Sequence, residues 1–122
     1  MITTSAKKSF LSLAGMLLLI GLNTVPATAG GASYDVFLTA VDARSDGNFS
    51  VVISQGTAGT AACATSSSTQ MTGKTTALAG QQILALAVAA YLSGKKIGIE
   101  GTGFCNEYPG YESIFRIVIV NN

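Results

Sequence analysis

Two short segments hold most of the side chains able to grip a polar ligand. Asp42 to Ser50 (DARSDGNFS) carries Asp42, Asp46, Asn48 and Ser50, and Asn106 to Tyr111 (NEYPGY) carries Asn106, Glu107, Tyr108 and Tyr111. Hydroxyl, amide and carboxylate groups beside aromatic faces form the set that holds a sugar, because its hydroxyls need donors and acceptors while its C–H faces lie on rings. Asp46, Ser50, Asn48 and Tyr108 are therefore the candidate ligand-binding residues. A plainer reading stands beside each segment. Asp46 and Asn48 suffice to make a turn, and Phe104, Tyr108 and Tyr111 can pack beneath a disulfide.

Catalytic chemistry finds little support. The chain has no histidine, so the commonest general base and the commonest metal ligand are both missing. Asp42 and Asp46-Gly47 begin like a calcium loop, but Arg44 stands at the third ligand position and Ile53 where a bidentate Glu is required. Gly101-Thr102-Gly103 begins like a dinucleotide loop, yet Asn106 replaces the last glycine. Nucleophilic catalysis by a Ser or Thr needs an adjacent base, and nothing in the spacing of Glu100, Glu107 and Glu112 marks a glycosidase pair. A non-catalytic protein without metal or cofactor is expected. Seven Lys/Arg against six Asp/Glu provide no basic surface for a phosphate backbone, so nucleic acid is not an expected partner.

The residues that could bind must be positioned by a small domain. Lys7 and Lys8, an apolar run from Phe10 to Leu22 and then Ala27-Thr28-Ala29 have the layout of a secretory signal peptide over 1–29. That run is too short to span a bilayer, so no stable membrane insertion is expected. Cleavage after Ala29 leaves 30–122, in which five basic residues face six acidic ones. Secretion or release to a periplasm exposes Cys63 and Cys105 to an oxidising compartment, where the two should join. Closing a loop of that length is worth roughly 4 kcal/mol in the chain-entropy model.

Along this domain, Tyr34 to Val41 reads as a strand with Val36, Leu38 and Ala40 on one side, Asp42 to Asn48 as a turn, and Phe49 to Ser54 as its hairpin partner. A third strand is expected around Cys63, over Thr60 to Thr65, with a Ser/Thr/Gly-rich surface loop through Thr76. Ala77 to Leu92 reads as a helix, with Thr75 or Thr76 as N-cap and Ser93-Gly94 as the stop. Ala79, Ile83, Leu86 and Ala90 form one apolar stripe, while Leu84, Val88 and Tyr91 occupy much of the rest. A surface helix should show a broad polar face, and only Gln81 and Gln82 supply one. Two readings follow: a second subunit covers the helix, or an alanine-rich back is left exposed. Lys96 to Gly101 and Ser113 to Val120 complete five strands, with one central helix between the third and fourth. That mainly β order is the order of an OB-fold, a small five-stranded barrel.

At this point the chain resembles the B subunits of subtilase-cytotoxin and typhoid-toxin type. DARSDGNFSVVIS at Asp42 to Ser54 is similar to the family's hairpin stretch, with one residue inserted near Ser45. Tyr91-Leu92-Ser93-Gly94-Lys95-Lys96-Ile97 is similar to its helix end and following strand, and Glu100 through Tyr108-Pro109 has a counterpart. Near Gly101 this chain lacks the aromatic that the family carries in its sugar pocket. The resemblance implies an OB-fold that assembles as a homo-oligomer, a ring of five, binds sialylated glycans through Asp46 and Ser50, and serves a separate catalytic A subunit. The alternative is a small secreted structural or accessory protein of the same fold without glycan specificity.

Overall fold

A computed structural model of the chain describes residues 30–121, so the signal-peptide reading of residues 1–29 lies outside the described residues. Six strands and one helix follow in the order β1 (Ala32–Val36), β2 (Leu38–Ala43), β3 (Asn48–Ile53), β4 (Gln70–Lys74), α1 (Leu78–Ser93), β5 (Ile97–Gly101) and β6 (Ile114–Ile119). They form two three-stranded antiparallel sheets, ordered β1-β5-β6 and β2-β3-β4, rather than a closed five-stranded barrel. The expected single strand Tyr34 to Val41 is divided between the sheets. Asp35 adopts a φ of 56°, and the register shifts on both sides of Phe37, so β1 turns toward β5 while β2 pairs with β3. The break also moves the inward alternation: Val36 and Leu38 are buried as expected, but Ala40 is exposed and Val41 packs on the core in its place.

The hairpin is where sequence placed it. Val41 faces Val51 and Ala43 faces Phe49 in register, and Phe49, Val51 and Ile53 point into the core. The strand expected at Thr60 to Thr65 does not form; Cys63 sits in a turn, and β4 lies within the stretch read as a loop. Gly73 decides this position. A Cβ there would come 2.3 Å from Phe49 Cζ, so its bare Cα is what allows the Phe49 ring to lie over β4. Met71, opposite Val51, supplies the strand's one large buried side chain.

The helix forms almost as expected and stops at Gly94, whose φ of 64° is left-handed and whose N–H donates to the Ala90 and Tyr91 carbonyls. Its N-cap is Ala77, without a side-chain bond, because the Thr75 hydroxyl donates instead to the Gly47 carbonyl at 2.9 Å. The core-facing stripe is Ile83, Leu84, Ala87 and Ala90, whereas Ala79 and Leu86 are exposed. Small alanines let the helix lie close on β2, β4 and β6. Around the rest of its surface the helix leaves Leu78, Leu86, Val88, Tyr91 and Leu92 open, with Leu92 77% exposed. No helix among the described residues is long and apolar enough to cross a membrane.

The two sheets share one hydrophobic core, with Ile97, Ile99 and Ile117 of one packed in the same cluster as Phe49, Val51 and Met71 of the other, while their backbone links pass through few residues. Phe37 joins β1 to β2, and its carbonyl accepts from Ser54 N at 2.9 Å. At the opposite edge, Thr72 of β4 bridges Ser113 in the parallel sense, and Thr72 N donates to the Glu112 carbonyl at 2.9 Å.

Candidate functional site

The β2–β3 turn is built to hold Asn48 in one orientation. Arg44 N donates to the Asn48 carbonyl at 2.8 Å and Gly47 N to the Arg44 carbonyl at 3.1 Å, with Gly47 at a φ of 84° that favours glycine. One Asp46 oxygen accepts from Asn48 N at 2.9 Å, and the other accepts from the Asn48 side-chain Nδ2 at 3.3 Å. A carboxylate only accepts, so the amide nitrogen must face Asp46. The Asn48 Oδ1 is then left buried without a partner.

The second wall comes from the loop between β5 and β6. The Cys63–Cys105 disulfide ties this loop to the segment before β4, with 6.0 Å between the two Cα atoms. Ser66 N donates to the Gly110 carbonyl at 3.0 Å, and Tyr111 N to the Tyr108 carbonyl at 3.2 Å. Tyr108 and Tyr111 meet edge to face with ring centres 6.3 Å apart. The Ser113 hydroxyl, which donates to Glu107, accepts from Asn106 N and so fixes the start of the loop. The three aromatics therefore do not pack together beneath the disulfide: Phe104 is exposed, and Tyr108 and Tyr111 stand at the pocket.

Between these walls lies a cleft of about 70 Å³ lined by Arg44, Asn48, Ser50, Gln70, Tyr108 and Tyr111, with Phe49 and Thr72 behind them. Its size suits one edge or substituent of a ligand rather than enclosure of a drug-sized molecule. The Arg44 guanidinium lies 4.5 Å from the Tyr108 ring centre and 3.4 Å from an Asp42 oxygen. Asp42 first, and Tyr108 after it, raise the Arg44 pKa further, so the cleft carries a permanent cation at its rim. At its base, Gln70 Nε2 donates to the Ser50 hydroxyl at 3.2 Å. That bond leaves the Ser50 hydroxyl proton free to donate.

Of the four residues expected to bind, Ser50, Asn48 and Tyr108 come together in this cleft. Asp46 does not line it and instead orients Asn48 from behind. Sequence reasoning missed Arg44, Gln70, Thr72 and Tyr111 as lining residues. Arg44 stood only two residues from Asp46 in an already suspect turn, a signal that was available. Gln70 and Thr72 were hidden by the loop reading of β4. Tyr108 and Tyr111 supply from the loop an aromatic wall that the strand near Gly101 lacks. A larger groove of about 440 Å³ runs between the start of α1 and β6, lined chiefly by Ala77, Gly80, Ile83, Ile114 and Phe115, and holds none of the four. Among the described residues no group of three potential metal ligands occurs. Comparisons with protein-family models, curated proteins and solved structures find no match to this chain.

Proposed function

We propose that the chain is a secreted, non-catalytic binding subunit that recognises acidic, sialylated glycans through the cleft between the β2–β3 turn and the disulfide-anchored loop. The observation that carries this reading is the convergence of Asn48, Ser50 and Tyr108 with Arg44 around one polar, aromatic-walled cleft. Arg44 offers the planar cation that a carboxylate prefers. Ser50 offers a donor, Asn48 lines the same wall, and the tyrosines provide faces for a sugar ring. The reading of the fold as a partly open OB-type barrel rests on strand order. The path β4-β3-β2 continues past Phe37 into β1-β5-β6, and the parallel Thr72–Ser113 bridge brings the two outer strands back together.

Assembly as a homo-oligomer, a pentamer by resemblance, is supported by the apolar outer face of α1. Export is supported by the disulfide and by the residue pattern of 1–29. In such an assembly chemistry belongs to a separate A subunit. A glycan array on the native protein and on Ser50→Ala and Tyr108→Ala tests the site: sialylated glycans should bind the native protein and lose signal with both variants. Identical profiles for all three proteins would overturn the site. A flat native profile together with a single-chain mass in solution would favour the accessory-protein alternative.

A further inference from the structure

Glu112 is 1% exposed, and the described residues offer it no Lys or Arg: the ion pairs present are Arg44 with Asp42 and Arg116 with Glu100. Backbone N–H groups surround its carboxylate instead. Gly31 N donates to its two oxygens at 2.8 and 3.1 Å, Gly103 N at 2.9 Å, and Ala61 N approaches at 3.5 Å. Glycines make the room. A Cβ on Gly101 would lie 2.3 Å from the Glu112 Cδ, and one on Gly31 would lie 2.8 Å from Oε2. Gly30 is wedged beside the same seat, since a Cβ there would fall 1.9 Å from the Gly101 carbonyl oxygen and 2.8 Å from Gly103 N. A buried carboxylate is costly unless it is hydrogen-bonded and paired with a cation, and among the described residues only the first condition is met.

We infer that this seat receives the α-ammonium group of Gly30 once the chain is cut after Ala29, so that export processing completes an ion pair with Glu112. The inference rests on the export reading of residues 1–29. Before the cut the Gly30 nitrogen is a neutral amide with one N–H. Hydrolysis adds one water across the Ala29–Gly30 bond; the carboxylate leaves with Ala29, and the Gly30 nitrogen takes up a proton to become an ammonium with three donors. Successive backbone nitrogens lie at most about 3.6 Å apart, so this charge forms within about 6.5 Å of the carboxylate. Glu112 is the titratable group that faces it. Glu100, beside Gly101, is engaged by Tyr34 and Arg116, and the Cys63–Cys105 pair does not titrate.

An ammonium held by Glu112 keeps its proton above the ordinary α-amine range, near pH 8. Its stabilising effect is complete below that range and is lost as pH rises through the raised value. The test uses the exported protein. Its intact mass gives the first residue, the ¹³Cα shift of Gly30 reports the α-amine titration, and thermal unfolding is followed from pH 7 to 10 for wild type and Glu112→Gln. Expected are a chain starting at Gly30, an α-amine holding its proton at least tenfold more tightly than a free one, and a melting temperature that falls through that titration in wild type only. A chain starting elsewhere overturns the inference together with the cut after Ala29. A chain starting at Gly30 whose α-amine titrates in the ordinary range overturns the ion pair and leaves the export reading standing; this wild-type measurement decides even if Glu112→Gln does not fold.

Discussion

The guanidinium of Arg44, on the turn after β2, lies 4.5 Å from the ring centre of Tyr108, on the loop anchored by Cys105. The two residues are far apart in the chain, and their contact joins the two walls of the cleft. It also places a cation beside an aromatic face, the pair of features on which the proposed recognition of an acidic sugar rests.

Replacing Arg44 should therefore separate charge from shape. Arg44→Lys keeps the charge but loses the planar fork and its stacking, and Arg44→Ala loses both. Binding of a sialylated oligosaccharide should weaken roughly tenfold or more for Ala and by a smaller factor for Lys, measured by calorimetry. Equal affinity in all three proteins would remove Arg44 from the site.

Asp46 should act on binding without touching the ligand. Asp46→Ala removes both bonds that orient Asn48 and should lower affinity roughly tenfold, with a stability loss of about 0.5–1.5 kcal/mol in urea. Asp46→Asn keeps an acceptor for Asn48 N but adds a competing amide donor, and should fall between.

The disulfide should matter for stability and site together. Its partners are 42 residues apart, so the Cys63→Ser, Cys105→Ser double variant should lose roughly 4 kcal/mol in chemical denaturation. Loss of the anchor should also loosen Tyr108 and reduce the proposed glycan binding in the fraction that remains folded.

Gly80→Ala should reverse the usual helix rule. Alanine in a helix interior is ordinarily better than glycine by about 1 kcal/mol. Here a Cβ would lie 1.7 Å from the Lys74 carbonyl oxygen, which is backbone and cannot swing away. The variant should be less stable than wild type by about 1–3 kcal/mol in urea unfolding, and a gain would show that α1 can shift off β4 cheaply.

Glu100 should titrate below the usual carboxylate range. The Tyr34 hydroxyl, and after it Arg116, favour its charged form. A carboxyl lowered on folding adds stability that is present above its unfolded value and disappears as pH falls through the folded one. NMR titration should show the Glu100 value moving up toward normal in Tyr34→Phe, and the small acid-side loss of melting temperature should shrink in the same variant.

Short-range patterns in the sequence were enough for the hairpin, the helix with its Gly94 stop, the last two strands and the pairing of the only two cysteines. For the hairpin, the helix and the strands the deciding interactions lie within a few residues: turn chemistry at Asp46-Gly47, alternation in Phe49, Val51 and Ile53, and a left-handed stop after Ser93; the cysteines, 42 residues apart, pair because the chain has no others. Asn48, Ser50 and Tyr108 were legible as candidate binders because their chemistry is carried by residue type, and the fold brings all three to one cleft. Tertiary structure alone decided the rest. Gln70 to Lys74 has one large apolar side chain and becomes a strand through its pairing with β3 and the space that Gly73 leaves for Phe49. Phe37 divides what reads as one strand because β1 and β2 must serve different sheets. The inward stripe of α1 runs through Ala87 and Ala90 because small residues let the helix approach the sheets, a demand that helical periodicity does not express. Arg44 and Gln70 enter the cleft for the same reason: their place follows from which strands pair, and pairing joins residues that the local sequence keeps apart.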